Sequence, residues 1–184
     1  MPRKDGATTL GMNPYPDEWT MLTGFEYLSA MSLIRPLNTV RDRMGADGDY
    51  ALHHDFACCV DVDGEALGLT APRGMVTDLT SVPGPLRPFV GRVGPWLEAA
   101  VLHDWLYVAW RLVPGRGARP RDRLFADRVM LLAMERAQVS RWRRWTIYAA
   151  VRLFGGPSYR SGDIRFVDLG ERAMSTALLI PARS

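Results

Sequence analysis

Cysteine and histidine are scarce in this sequence, and their scarcity limits its chemistry. The only two cysteines, Cys58 and Cys59, are adjacent, so they cannot join distant segments of the chain through disulfides. A disulfide framework is therefore excluded, as is a zinc site built from cysteines. The chain has three histidines for any metal or catalytic site, His53, His54 and His103.

Long apolar runs are also missing. No uninterrupted run approaches the roughly 20 residues that cross a bilayer, and the opening stretch "MPRKDGATTL" lacks the apolar segment of a signal peptide. The sequence thus predicts no membrane segment, no secretion by signal peptide, and synthesis in the cytoplasm. With 184 residues, 47% of them hydrophobic, the chain is long enough for one domain with its own core.

Charge is distributed unevenly along the chain. Residues 111–165 carry thirteen arginines and four acidic residues, a net charge of +9, and because the whole chain carries +3, the remainder carries −6. One part of the surface is therefore expected to be basic and another acidic. Such a distribution suits docking between unlike surfaces or a polyanionic partner.

The order of sequence patterns predicts an α+β fold. Short β-prone runs between residues 50 and 83, interrupted by Asp63-Gly64, indicate a small antiparallel sheet or hairpin. Apolar spacing and Pro/Gly boundaries then indicate a core of three helices. These helices are expected at about residues 96–112, 121–137 and 141–154.

The ends of the chain are expected to be extended arms. We divide the sequence into an N-terminal arm and linker over 1–45, an α+β core over 46–157 and a C-terminal tail over 158–184. Gly, Pro and polar residues fill the first stretch, up to about Thr23, and a weak helical or extended pattern follows it. The tail contains "ERAMSTALLI", which could form one more helix or an added edge strand.

The stretch "AAVLHDWLY" places His103 and Asp104 side by side in an otherwise apolar helix. A buried acid and imidazole must be paired, bind something or do chemistry, because an unpaired buried charge is costly. Adjacent His-Asp pairs serve metal-dependent phosphohydrolases, so His103 and Asp104 are the candidate ligands of a divalent metal. The same His-Asp pair recurs at His54-Asp55. The alternative to a metal site is a structural pair, in which Asp104 orients the imidazole or forms an ion pair with an arginine of the next helix.

A second candidate group lies in "TDLTSVP", where Asp78 and Ser81 stand near the end of a predicted strand. A hydrolase triad of Ser81, His103 and Asp104 can be imagined, but adjacent helical His and Asp side chains are poorly placed for it, and no G-x-S-x-G elbow surrounds the serine. The alternative is that these side chains satisfy backbone groups in turns before Pro83.

Further polar candidates lie on the second and third predicted helices. Asp127 could be a third carboxylate in a cleft, or the internal salt-bridge partner of Arg123 one turn earlier. Arg141, Arg144 and Arg152 lie on one side of the third helix by helical spacing, opposite an apolar side that includes Trp142, Ala149 and Leu153. This basic stripe could contact nucleic acid, be solvated, or dock on an acidic neighbour.

Four motifs follow one another in a fixed order over roughly residues 48–157. They contain "TDLTSVP", "AAVLHDWLY", "ADRVMLLAM" and "YAAVRLFGG". Their order resembles a family of small phage and prophage proteins known only as a domain of unknown function. The matching positions are Gly74, Thr77, Asp78, Ser81, Pro83, His103, Asp104, Leu106, Tyr107, Ala126, Asp127, Ala133, Met134, Tyr148, Ala150, Val151, Arg152, Phe154 and Gly155. The sequence departs from the family at Gly84-Pro85, where an arginine and a large apolar run are usual.

The resemblance implies a virion structural component of the tail, tail tip or neck. Such a protein would be made in the host cytoplasm, enter the virion in multiple copies, and dock on other virion proteins without a required cofactor. In this interpretation Asp78, Ser81, His103, Asp104 and Asp127 form a buried structural node.

Two alternatives stay open. The same five residues could serve a metal-dependent hydrolase of peptidoglycan or a phosphoester, or the basic stripe could bind nucleic acid. An enzyme needs these side chains around an open cleft, whereas a scaffold needs them buried, hydrogen-bonded and closed to water.

Overall fold

The computed structural model describes residues 13–34, 50–77, 94–163, 165–166 and 177–179, and these form an α+β fold. Two antiparallel sheets pack with helices that follow the first six strands along the chain, and the α+β class agrees with the sequence prediction. The strands are β1 Leu22–Tyr27, β2 Ser32–Ile34, β3 Tyr50–Leu52, β4 Phe56–Val62, β5 Glu65–Ala71, β6 Val76–Thr77 and β7 Ala177–Leu179. The helices are α1 Leu97–Val108, α2 Pro120–Arg136, α3 Arg141–Phe154 and α4 Gly156–Ser161, with a 3₁₀ turn at Ala109–Leu112.

The first sheet has three strands in the order β1-β4-β5. Its central strand β4 and its edge strand β5 form the predicted hairpin. Asp63 and Gly64 connect the two strands, with φ angles of 53° and 89°. Positive φ at both central residues is the requirement of a tight type I′ turn, so the Asp-Gly pair determines this connection. The Asp63 carboxylate also accepts hydrogen bonds from the backbone N–H groups of Thr20 and Met21, which attaches the preceding segment to the turn.

The second sheet has four strands in the order β6-β3-β2-β7. Its edge strand β7 comes from the C-terminal tail and pairs with β2, so part of "ERAMSTALLI" adopts the edge-strand alternative. Strand β2 is completely buried, with the side chains of Ser32, Leu33 and Ile34 all in the core.

The segment assigned to the N-terminal arm and linker contributes two strands and a buried tyrosine to the folded core. Both β1 and β2 fall within residues 1–45, and β1 pairs antiparallel with β4. Tyr15 is buried, donates a hydrogen bond to the carbonyl of Leu106, and accepts one from the N–H of Trp110. The physical core therefore begins well before residue 46, because backbone pairing and one anchoring tyrosine order a stretch with little periodicity of its own.

Helix α1 lies at the centre of the fold, and nine of its twelve residues are buried. It packs against α2, which in turn packs against both α3 and β1. Pro120 occupies the first turn of α2, where its missing N–H loses no hydrogen bond. The predicted helix over 96–112 ends earlier as an α-helix, because its last turn tightens into the 3₁₀ turn. Among the described residues, no helix is long and apolar enough to cross a membrane.

Candidate functional site

Asp127, in the middle of α2, is the centre of the buried polar cluster. Its side chain is 0% exposed. Oδ1 accepts hydrogen bonds from His103 Nε2 at 2.8 Å and from the Tyr107 hydroxyl at 2.7 Å. Oδ2 accepts a third from an Arg152 Nη at 2.7 Å. The carboxylate therefore joins α1, through His103 and Tyr107, to α3, through Arg152.

Arg123 closes the cluster from one turn earlier on α2. Its Nε lies 3.8 Å from Asp127 Oδ2 and 3.3 Å from the Tyr107 hydroxyl oxygen. One of its terminal nitrogens donates to the backbone carbonyls of Val151 and Arg152, at 2.7 and 2.6 Å. These carbonyls belong to the last turn of α3, where the Val151 carbonyl also accepts from the N–H of Gly155, so Arg123 helps to cap the end of that helix.

Burial and hydrogen bonding act in opposite directions on Asp127. Burial alone would raise the pKa of its carboxyl group, but hydrogen bonds from His103, Arg152 and Tyr107 outweigh it and hold the pKa below its ordinary value. Burial and the Asp127 charge raise the pKa of Tyr107, so the phenol keeps its proton and donates it. Asp127 is therefore ionised at neutral pH, and three donors surround it.

The ionised carboxylate determines how the His103 ring is protonated. An ionised carboxylate only accepts hydrogen bonds, so Nε2 of His103 must carry the hydrogen that points at Asp127. The other ring nitrogen, Nδ1, is buried and has no hydrogen-bond partner among the residues that the structure describes. In the neutral ring this atom is an acceptor with a free lone pair.

Asp104 contacts a different part of the fold from His103. The Thr77 hydroxyl at the end of β6 donates a 2.7 Å hydrogen bond to Asp104 Oδ2, so Asp104 joins α1 to the second sheet. The imidazole of His103 is oriented by Asp127, and not by the adjacent aspartate that the sequence offered for that task. Adjacent residues of a helix point about 100° apart, and this separates the two side chains.

The structure brings together part of the candidate residue set. His103 and Asp127 are in direct contact, Asp104 contacts Thr77 instead, and Asp78 and Ser81 lie outside the described residues. Within the described ranges, no group of three or more His, Cys, Asp or Glu side chains could hold a metal ion.

The basic stripe is divided between two surroundings. Arg152 points inward to Asp127, and Arg144 pairs with Glu135 of α2 at 2.7 Å. Arg141 is exposed at the start of α3. Two of the three cations therefore have carboxylate partners in the same chain, which leaves less positive charge for a nucleic-acid phosphate than the helical spacing suggests.

Sequence reasoning placed Arg123 beside Asp127, as the structure does, but it missed Tyr107 and the contact of Thr77 with Asp104. Tyr107 lies four residues after His103, and Arg123 lies four residues before Asp127. Side chains at this spacing share a helix face. The i,i+4 relation was therefore available as a signal for both residues, whereas the Thr77 contact depends on the crossing of β6 and α1.

Gly155, which follows α3, has no room for a side chain. A Cβ added there would lie 2.6 Å from the Tyr107 hydroxyl oxygen and 2.6 Å from the Val151 carbonyl oxygen. We expect Gly155→Ala to displace the tyrosine from Asp127 and to lower the free energy of unfolding by about 1 to 3 kcal/mol. Urea denaturation measures this loss. Gly117→Ala is the matched control, because nothing lies within 4 Å of its added Cβ; equal effects of both variants would contradict the expectation.

Acid should weaken the cluster by protonating Asp127. Its pKa is lowered by folding, so its contribution to stability is complete above the unfolded-state pKa of about 4 and is lost as the pH falls from there through the folded-state pKa. We expect the stability difference between the wild type and Asp127→Asn to be constant between about pH 5 and 7 and to shrink below about pH 4. Denaturation curves at each pH measure it. A difference unchanged at acidic pH would contradict the assignment.

Comparison with known proteins places part of the chain in a family. A family model described as a protein of unknown function (DUF1353) matches residues 50–151, a range that includes β3 to β6, α1, α2 and most of α3. All the residues that contact the Asp127 carboxylate, except Arg152, lie inside this range. No curated protein and no solved structure matches the chain.

Proposed function

The chain belongs to the DUF1353 family of proteins of unknown function, and we propose that it is a docking component of a phage virion, located in the tail, tail tip or neck. It is made in the host cytoplasm and carried in the particle, in several copies, on neighbouring virion proteins. The phage assignment rests on the resemblance of its four motifs, and the docking role rests on the geometry of the Asp127 cluster.

The complete enclosure of Asp127 is the observation that carries the docking role. Both carboxylate oxygens accept hydrogen bonds and the side chain is 0% exposed, so no substrate group can reach it without displacing a partner. A catalytic acid or base must come within hydrogen-bond distance of the group that it serves. The enclosed carboxylate instead ties three helices into one rigid body, which is what a docking protein needs.

The charge distribution supports the same role. Residues 111–165 carry a net charge of +9 and the remainder of the chain −6, so the chain offers charge of both signs to its neighbours. Complementary potentials speed the encounter of partners and fix their orientation. Repeated contacts between such surfaces are suited to an assembly of many chains.

Purified particles provide the test of the proposal. Particles from the strain that carries this gene are banded on a density gradient, and their proteins are quantified by peptide mass spectrometry. We expect the chain to remain with the particles in fixed stoichiometry after a high-salt wash. Its presence in the lysate but absence from the particles would overturn the virion assignment.

A second candidate function is favoured by Nδ1 of His103, a buried atom with no hydrogen-bond partner in the described part of the chain. Asp127 orients the ring through Nε2, as carboxylates orient metal-binding and proton-accepting histidines. A metal-dependent hydrolase of peptidoglycan or a phosphoester would use Nδ1 together with Asp104. The cluster would then be a support for one reactive atom.

Metal content separates the two candidates. Plasma mass spectrometry of the purified wild type is compared with His103→Ala and with the exposed control His54→Ala. Under the docking proposal we expect no stoichiometric metal in any of the three proteins. One zinc, manganese or iron per chain in the wild type and in His54→Ala, lost in His103→Ala, would instead establish a metal site.

A further inference from the structure

Helix α3 carries apolar side chains on its outer side as well as on its buried side. Trp142 is 64% exposed, Trp145 49% and Leu153 75%, and Ala149 is exposed between them. Their spacing of three, four and four residues places them in one row along the helix. We call these four residues the tryptophan stripe.

The tryptophan stripe exposes more contiguous apolar area than scattered single residues on the surface of a monomer do. The two indoles alone expose on the order of 250 Å² of apolar area, and Leu153 extends the row. Contiguous patches of a few hundred Å² on monomers commonly mark interaction sites, whereas scattered single apolar residues do not. A covering partner is therefore expected for this helix.

The charges beside the stripe indicate the sign of that partner. Helix α3 contains four arginines and no acidic residue. Arg144 and Arg152 are paired inside the chain, while Arg141 is exposed at the start of the helix. A surface that covers the stripe therefore meets the positive charge of Arg141, and carboxylates on it would be favoured.

The chain has a surface of this kind on its three-stranded sheet. Residues directly opposite one another in the strand register share a face, and one face consists of small and acidic residues. It contains two rows across the sheet, Thr23-Asp61-Ala66 and Glu26-Cys59-Gly68, followed by the pair Ala57-Thr70. We call this the small-residue face.

The small-residue face is open and carries unneutralised acid. Thr23, Glu26 and Ala66 are exposed, and the central residues Asp61 and Cys59 are half-buried. Asp61 accepts hydrogen bonds from Thr23 and Gly64, but neither Asp61 nor Glu26 forms an ion pair with any residue that the structure describes. The small side chains of these two rows leave room for the large indole rings of a partner, and the exposed Leu28, whose N–H donates to the Ala57 carbonyl, lies beside them.

The stripe and the face lie on the outer sides of elements that pack on one shared core. Phe25 and Tyr27, on the inner side of β1, pack on the same apolar cluster as Ile147 and Val151 of α3, and residues of α2 lie within that cluster. The Tyr27 hydroxyl also donates to the Ala133 carbonyl of α2. With α2 between them, the two surfaces cannot meet within one chain.

We propose that copies of this chain associate head to tail, with the tryptophan stripe of one copy packed on the small-residue face of the next. The indoles cover the small side chains, and Arg141 approaches the carboxylates of Glu26 and Asp61. Because the two surfaces differ, each added copy leaves one of each free, and the contact produces a ring or an open filament. The inference rests on the proposed docking function and names a partner for it.

Two variants, each damaging one surface, test the geometry. Trp142→Ser/Trp145→Ser removes the stripe and keeps the face, whereas Glu26→Arg/Ala66→Arg blocks the face and keeps the stripe. Phe154→Ser is the matched control, because Phe154 is 59% exposed on α3 but lies outside the stripe. Sedimentation velocity follows each protein up to about 100 µM, above the micromolar Kd of weak interfaces.

For the wild type and for Phe154→Ser, we expect the sedimentation coefficient to increase with protein concentration, and to increase less at high salt. Each surface variant alone is expected to stay monomeric, while their mixture forms a one-to-one dimer through the single intact pair of surfaces. A wild type that stays monomeric at every concentration overturns the self-association but leaves virion docking to the particle experiment. If the wild type associates but the mixture of the two surface variants forms no dimer, the head-to-tail geometry is overturned. If the wild type stays monomeric and binds anionic vesicles through the stripe, the stripe is a lipid-binding surface instead.

Discussion

Replacing Asp127 with asparagine is expected to lower the free energy of unfolding by about 3 to 4 kcal/mol, although the two side chains have nearly the same shape. The asparagine carbonyl oxygen can still accept from His103 and Tyr107. Its amide nitrogen, however, would face Arg152 and Arg123, so that donors oppose donors where Oδ2 now stands. Two guanidinium groups would lose their buried counter-charge at the same time.

Thermal unfolding measures the loss directly. For a chain of this length the expected change corresponds to a fall in Tm of about 10 °C. Asp163→Asn serves as the control, because it removes the same charge from an exposed position. A Tm of Asp127→Asn within about 2 °C of that control would contradict the structural role assigned to the cluster.

The helices could be predicted closely because their signals are local. Helix α3 runs over Arg141–Phe154, the expected bounds, and Gly155 follows it where the pattern ends. The Gly-Gly-Pro sequence at 155–157 predicts the end of the helical core, yet another helix, α4, begins at Gly156 with Pro157 in its first turn. A proline after a glycine pair can thus begin a helix as well as follow one.

The strands β1 and β2 could not be predicted from local pattern alone. Their partners lie far along the chain, since Leu22 pairs with Val62 and Ser32 with Leu179. Strand β1 contains an irregularity between Thr23 and Phe25, which interrupts the alternation that identifies a half-buried strand. Only the assembled sheets show that this part of the chain belongs to the core.

The polar cluster was predicted in part for a similar reason. Placing His103 and Asp127 in one node requires only that neighbouring helices pack, and the structure brings these two side chains into contact. Arg152 shares its side of α3 with Arg141 and Arg144 by spacing, which suggested a surface stripe. The crossing of α3 over α2 instead brings Arg152 to Asp127, and helical spacing contains no information about that crossing.

Replacing His103 with alanine is expected to lower the free energy of unfolding by about 2 to 3 kcal/mol. The change removes a hydrogen bond to an ionised carboxylate and leaves a space in a core position that is 2% exposed. Asp127 keeps Arg152 and Tyr107, so this loss should be smaller than that caused by Asp127→Asn. Chemical denaturation of both single variants and of the double variant measures each effect on one scale.

The double variant distinguishes a shared cluster from two unrelated sites. If His103 and Asp127 act through one hydrogen bond, the double variant loses less than the sum of the single losses, by about 1 kcal/mol or more. The control variant His54→Ala, which changes an exposed histidine of the same chain, should leave stability nearly unchanged.

Additive losses would mean that the contact between His103 and Asp127 contributes little to stability. An unchanged stability of His103→Ala would mean that the histidine has no structural role. A ligand or a reaction at Nδ1 would then be the remaining reason for a buried imidazole, so that second outcome would favour the hydrolase over the docking protein.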